Sequence, residues 1–249
     1  MANEPITQRI SSDLRRQIQE GILGPGALLP SETEVARDYN VSRQTARSAL
    51  QALEREGLVI VRPRRGRVVR STQRLRWRLS EYERPDHTVL GTSDAWKTDI
   101  ESQGHDPTRQ DLQVEQITPP ETIAARLNLD PRTDVCVVRR HVRYIDGNPA
   151  IISDDYFDEK IVRGTELAEP EDTTREDILK EAGYEQVYDI DEIITRMPTP
   201  DEVNRLGIPA GTPVAEHIRT GYTADNKPVR VMLSIVPGDT LILEYTIPT

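Results

Sequence analysis

The chain has 249 residues, 36 % hydrophobic and 30 % charged, a length that suits two domains better than one. No apolar run nears the roughly 18 residues of a membrane span and no basic-then-apolar leader opens the sequence, so a cytoplasmic protein is expected. A single cysteine, Cys136, excludes an internal disulfide and a multi-cysteine zinc site. The net charge of -10 conceals a split, since residues 1–78 hold 15 Arg against 8 Asp/Glu, or +7, and the remainder carries -17. A basic head that meets a polyanion and an acidic body that does not would give this asymmetry.

Three helical patterns come first. Residues 7–20 place Ile10, Leu14 and Ile18 at four-residue spacing, and Gly24-Pro25-Gly26 makes the turn that follows. Ser31-Glu32-Thr33-Glu34 reads as a capping box opening a short helix, with Asn40 as its left-handed stop. Ser42 caps the third helix, whose buried stripe is Ala46, Ala49, Leu50 and Leu53, and Gly57 ends it. Two short strands, 58–62 and 67–69, flank Pro63-Arg64-Arg65-Gly66, a hairpin tip with two arginines. Helix, turn, helix and basic wing predict a winged helix-turn-helix over residues 1–70.

Residues 71–93 read as a linker with some order around Trp77 and Leu79, followed by a helix over 93–103. From 94 to 249 the pattern predicts strands at 110–117, 134–145, 150–157, 184–197, 214–223, 229–236 and 241–246. Helices are expected at 120–127, 175–182 and 200–206. Asp146-Gly147-Asn148 is a hairpin turn, and Asp225-Asn226-Lys227 a second. Thr118-Pro119-Pro120-Glu121 and Thr199-Pro200-Asp201-Glu202 each precede a strand-turn-strand, the mark of a duplicated helix-plus-hairpin unit. The predicted fold class is α+β, with a mixed, mostly antiparallel sheet in the second domain.

A recognition helix presents polar and basic groups at its N-terminal end, because that end enters the major groove. Ser42, Arg43, Gln44 and Thr45 fit, with Arg47 one turn on. Arg43 has the geometry for guanine O6 and N7, and Gln44 for adenine. Arg64, Arg65 and Gly66 at the wing tip suit the minor groove, and Thr33 suits a phosphate. Chemistry of other kinds has little support. His87, His105, His141 and His217 are scattered without a second ligand type at metal spacing, so no catalytic residue, metal or cofactor is expected.

The stretch Leu29-Pro30-Ser31-Glu32, then Val41-Ser42-Arg43-Gln44-Thr45-Ala46-Arg47, Ala49-Leu50, Leu53-Glu54 and Gly57-Leu58 resembles the DNA-binding domain of the GntR family of bacterial regulators. Residues from about 90 to 247 resemble, more loosely, the effector-binding (UTRA) domain of its HutC subfamily. That resemblance rests on Gly104, Asp146-Gly147-Asn148-Pro149 and Val236-Pro237-Gly238-Asp239, and implies a chorismate-lyase-like fold. It also implies a homodimeric repressor of double-stranded operator DNA, joined through the second domain and tuned by a small-molecule effector. By the same resemblance His141 and Arg143, alternating onto one face of a strand, line the effector pocket. Many relatives carry two arginines there, and an acidic residue where this chain has Ser153. Tyr156, Arg219, Arg230 and Ser234 are further pocket candidates. Arg139 and Arg140 suit either the pocket or a dimer face. A ligand-independent DNA-binding repressor and an enzyme with an appended DNA-binding head are the alternatives.

Overall fold

The computed structural model describes residues 5–62, 65–70, 74–80, 95–170, 178–209 and 211–247. By compactness the chain falls into two units, residues 1–74 with 199–212 and residues 75–198 with 213–249.

The first unit holds α1 (Ile6–Gln19), α2 (Glu32–Asp38), α3 (Arg43–Arg55), β1 (Val59–Arg62) and β2 (Gly66–Val69). The capping box predicted for α2 is complete. The Ser31 hydroxyl accepts from the Glu34 amide at 3.3 Å, and the Glu34 carboxylate accepts from the Ser31 amide at 2.8 Å. Asn40 turns the chain out of α2 with a φ of 51°. Ser42 then starts α3 by accepting from the Thr45 amide at 3.1 Å. Ala46, Ala49, Leu50 and Leu53 fall at 3.6-residue spacing on one side of α3. They bury against Ile10 and Leu14 of α1, Val35 of α2, and Val59 and Val69 of the wing. The wing is an antiparallel pair from Val59 opposite Val69 to Arg62 opposite Gly66, with Leu28 making a single antiparallel bridge to Val68.

The second unit is built on six antiparallel strands in the order β4-β5-β6-β9-β8-β7. They are β4 (Pro107–Ile117), β5 (Cys136–Ile145), β6 (Asn148–Asp158), β7 (Tyr188–Arg196), β8 (Val214–Tyr222) and β9 (Pro228–Pro237). Helix α5 (Glu121–Leu127) stands between β4 and β5 in the chain, as α8 (Pro200–Leu206) does between β7 and β8, although by compactness α8 groups with the first unit. Each half is therefore strand, helix, hairpin, and the two hairpins meet at β6–β9. Both helices end on a left-handed residue, Asn128 at φ 55° and Gly207 at φ 60°. Asp146 and Gly147, at φ 51° and 71°, form the two-residue β5–β6 turn. The remaining elements are α4 (Ala95–Ser102), α6 (Glu159–Val162), a short 3-10 turn, α7 (Ile178–Glu181) and β10 (Leu241–Glu244).

Within the segment read as linker, Leu75–Arg78 forms β3 and pairs in parallel with β10. The cause is burial: Trp77 and Leu79 sit in a core with Trp96, Ile100, Ile151, Met232, Val236 and Leu241. That core lies on one face of the sheet. On the other, Ile123 and Leu127 of α5 pack over Cys136, Val138, Tyr156, Ile218 and Val231.

Leu50 is fully buried at the crossing of α1 and α3. Leu50→Ala is expected to lower the stability of the head by about 2–5 kcal/mol, read as an earlier midpoint in urea unfolding followed by far-UV circular dichroism.

Candidate DNA interface and effector face

In the head, Ser42, Arg43, Gln44 and Arg47 are all exposed along the first turns of α3, and Thr45 is half-buried beneath them. Thr33 is exposed on the first turn of α2. Arg65 and Gly66 are exposed at the wing, where Gly66 takes a φ of 95° that an L side chain rarely adopts. Arg64 lies outside the described residues.

The side chain that holds these parts together is Glu32, which motif reading left as one letter of a helix start. Its carboxylate accepts from Arg43 Nε at 3.1 Å, from Arg47 Nε at 3.0 Å and from Arg47 Nη2 at 3.2 Å. Arg67 of β2 reaches it at 3.4 Å and also bonds Glu54 of α3. One carboxylate thus ties α2, the recognition turn of α3 and the base of the wing. The Arg47 hydrogen bond, opposed by burial and helped by Arg43 and the nearby charges of Arg47 and Arg67, draws its pKa from 4.5 down to about 2. It stays ionised at neutral pH, and the guanidiniums are held at the helix face rather than waving in solvent. The spacing Glu32, Arg43, Arg47 across a turn carries no sequence period, so only the fold brings them together.

In the second unit, strand register decides which polar residues share a face. One cross-strand row runs His141, Ser153, Ser234, His217. The next row on the same face runs Arg139, Asp155, Met232, Arg219, Asp191, and beyond it Arg230 stands opposite Gly221. On the other side of the first row lies Arg143, opposite Ile151. Six of the seven pocket candidates therefore share one face. Tyr156, the seventh, points to the opposite face, under α5, where burial pushes its phenol up to about 12.

The row at the centre of this face is buried: His141 is 2 % exposed, Ser153 1 %, Ser234 and His217 0 %. The two serine hydroxyls stand 3.4 Å apart. Around them the cations are matched. Arg219 makes two bonds to Asp191, at 2.8 and 2.7 Å, and Arg230 makes two to one oxygen of Asp155, at 2.8 and 2.6 Å. His217 Nε2 lies 3.0 Å from Asp191, and Tyr245 donates to the same carboxylate at 2.9 Å. Burial opposes ionisation of Asp191, yet the bonds from Arg219 and His217 outweigh it and hold the carboxyl well below its usual range. Asp155 follows the same logic with Arg230. Arg139 donates to the carbonyls of Glu166, Leu167 and Glu169 at 3.2, 3.1 and 2.8 Å, which fixes the 3-10 turn. The Arg143 guanidinium sits 4.8 Å over the Trp96 indole, and Trp77 meets His217 edge-on at 5.7 Å.

Sequence reasoning missed Asp155, Asp191, His217 and the two tryptophans. The signal for the first was available, since Asp155 lies two residues from Ser153 and so shares its face. Asp191 sits on a strand three places from that of Asp155 in the sheet, and only the register brings it to Arg219. Among the described residues no three His, Cys, Asp or Glu side chains gather as a metal would require, and no helix is long and apolar enough to cross a membrane.

The bacterial gntR family of regulatory proteins matches residues 6–69, and the UTRA domain matches residues 102–241. An HTH-type transcriptional regulator of Streptomyces coelicolor is 27 % identical, covering 97 % of this chain and 92 % of its own. The transcriptional repressor NagR of Bacillus subtilis is 26 % identical, covering 94 % and 91 %. Among solved structures, a GntR-family regulator superposes with a TM-score of 0.60 at 24 % identity, over 99 % of this chain and 98 % of the other. PhnF from Mycobacterium smegmatis gives 0.58 at 22 %, over 96 % and 99 %. With an α+β fold, a winged helix-turn-helix head and an antiparallel sheet after it in the chain, the chain belongs to the GntR family of transcription regulators, in the UTRA-bearing HutC type.

Proposed function

We propose that this regulator is a homodimeric repressor, working in the cytoplasm, whose hold on an inverted-repeat operator is set by a small molecule bound on the polar face of its sheet. The reading assigns residues 1–70 to DNA and 94–249, with the strand Leu75–Arg78, to effector binding and dimerisation, and it assigns no enzymatic step. The observation that carries it is the exposed recognition turn: Arg43, Gln44 and Arg47 stand outward on a capped helix, with the wing arginine Arg65 also exposed. The sign, repression, is supported by NagR and by the mannosyl-D-glycerate system repressor MngR of Escherichia coli, which is 24 % identical over 91 % of this chain and 89 % of its own.

The buried row of His141, Ser153, Ser234 and His217 is the natural seat for the effector. Two hydroxyls and two imidazoles offer donors and acceptors, and the flanking Arg219 and Arg230 are already matched by carboxylates. Such groups favour a ligand rich in hydroxyl or carbonyl groups over a phosphate monoester. The effector shifts operator affinity only by its differential binding to the two arrangements of the heads.

Operator fragments selected from genomic DNA, titrated by fluorescence anisotropy, test the head. Arg43→Ala is expected to cost about 1–3 kcal/mol of specific affinity, and unchanged affinity would exclude α3 as the reader. Glu32→Gln releases two guanidiniums from their anchor. Binding to random DNA is expected to rise, its salt dependence to steepen by about one counterion, and the specific-to-random ratio to fall. A thermal-shift screen of sugars, polyols and carboxylates tests the other half. A hit that raises the melting temperature of the native protein should lose its effect in Ser153→Val, and a panel with no hit would leave the protein a ligand-independent repressor.

A further inference from the structure

The polar row at the centre of the effector face is shut. His141, Ser153, Ser234 and His217 are each at most 2 % exposed, so a ligand reaches them only if part of the cover moves. At the His217 end the cover has two pieces. Trp77 of β3 meets the imidazole edge-on, and Tyr245, just beyond β10, brings its hydroxyl to 3.4 Å from Nε2. Strands β3 and β10 form a ribbon of their own. They pair with each other and, among the described residues, with no strand of the six-stranded sheet.

The two strands of this ribbon are held unequally. β3 is bonded on both edges. The amides of Leu75 and Leu79 donate to the carbonyls of Thr240 and Glu244, at 3.1 and 2.9 Å. Those of Arg76 and Arg78 donate the other way, to the side chains of Gln103 and Asp99 at the α4 end, both at 3.0 Å. β10 is bonded to a strand on one edge only. Of its four residues Leu241 alone is buried, and only residues 238–240 join it to β9. The piece of the cover that can leave at least cost is therefore β10 with Tyr245.

We infer that β10 and Tyr245 are a gate on the effector face, and that the Tyr245 hydroxyl keeps the place of a hydroxyl of the ligand. The inference rests on the effector reading above and adds how the ligand enters and which group it brings. The phenol donates to Asp191 at 2.9 Å, on the carboxylate that His217 and Arg219 also hold. An incoming hydroxyl takes over that bond. A second hydroxyl gives the imidazole a partner: with Nε2 turned to Asp191, His217 Nδ1 is buried and has no hydrogen bond among the described residues. A ligand with hydroxyls thus gains a bond that the phenol does not make, and that difference favours the open, filled face.

Amide hydrogen exchange followed by NMR on the full chain tests the gate. The amides of Leu75, Leu79 and Thr246 have their acceptors across the ribbon, that of Thr246 being Ser80 Oγ at 2.6 Å. They are expected to exchange together, and faster than those of Arg76 and Arg78. Tyr245→Phe keeps the ring and removes the bond to Asp191. It is expected to speed the first three amides about two- to tenfold, the range that one hydrogen bond is worth, and to leave Arg76 and Arg78 unchanged. Equal exchange at all five amides, or a Tyr245→Phe chain that exchanges as the native one does, overturns the gate.

Ligand entry supplies an independent readout, with myo-inositol, glucose and p-cresol as probes and the rise in melting temperature as the signal. A probe that stabilises the native chain is expected to bind Tyr245→Phe about two- to tenfold tighter, because the competing hydroxyl is gone and the open form is more populated. Arg76 and Ile242 stand opposite each other in the ribbon and neither is buried. In the double variant Arg76→Cys, Ile242→Cys, oxidation is expected to staple the gate and abolish binding, and reduction to restore it; the native Cys136 is buried and takes no part. A probe that binds the oxidised variant as well as the reduced one overturns the gate and leaves the effector reading standing. If no probe stabilises either the native chain or Tyr245→Phe, that result counts against the effector reading, and the exchange pattern decides the gate by itself.

Discussion

The second unit depends on a single constraint, the register of its antiparallel strands. In such a sheet, residues directly opposite one another share a face, and a slip of one residue would exchange the faces of a whole strand. Here the register puts Ile123 and Leu127 of α5 against Val138, Tyr156, Ile218 and Val231 on one side. It puts His141, Ser153, Ser234 and His217 in one row on the other. Burying Val138 and Val231 under α5 turns His141, Ser153 and Ser234 to the other face, where they lie beside the core of Trp77, Ile151, Met232 and Val236.

The same face shows how buried charge is tolerated. Asp155 and Asp191 are mostly withdrawn from water, which would be costly alone. Each is met by an arginine from a neighbouring strand, Arg230 and Arg219, and Asp191 also by His217 and Tyr245. Removing one member would strand the others, so these pairs fix the shape of the face more than they add to its stability. The serines between them are left with a weak bond to each other at 3.4 Å.

In the head, Glu32 has the corresponding role. A DNA reader needs arginines that are exposed yet oriented, and free guanidiniums on a helix lose side-chain entropy when they bind. The carboxylate at the first turn of α2 holds Arg43 and Arg47 in place and links them to Arg67 of the wing. The helix-turn-helix and the wing are thereby one electrostatic unit as well as one hydrophobic core.

Local patterns in the chain carried the head. Ser31 with Glu34, Ser42 before an amphipathic stripe, and an arginine-tipped hairpin are signals that span a few residues and depend on backbone geometry alone. The same holds for the Asp146-Gly147 turn and for the two helix-plus-hairpin repeats of the sheet. Interactions between residues far apart in sequence were settled by the tertiary structure. Glu32 meets Arg43 and Arg47 only because α2 and α3 cross. Asp191 meets Arg219 only because β7 and β8 pair in one register. Leu75–Arg78, polar enough to read as linker, becomes a strand because β10 offers it a parallel partner and a core receives Trp77. Tyr156, two residues from Asp154 and three from Ser153, ends up on the opposite face from the serine because side chains alternate along a strand. The amino-acid sequence determined the helix caps, the tight turns and the apolar stripes that set most of the elements. The fold decided which carboxylate stands beside which arginine, because that is a matter of strand register and helix crossing, and no local pattern encodes either.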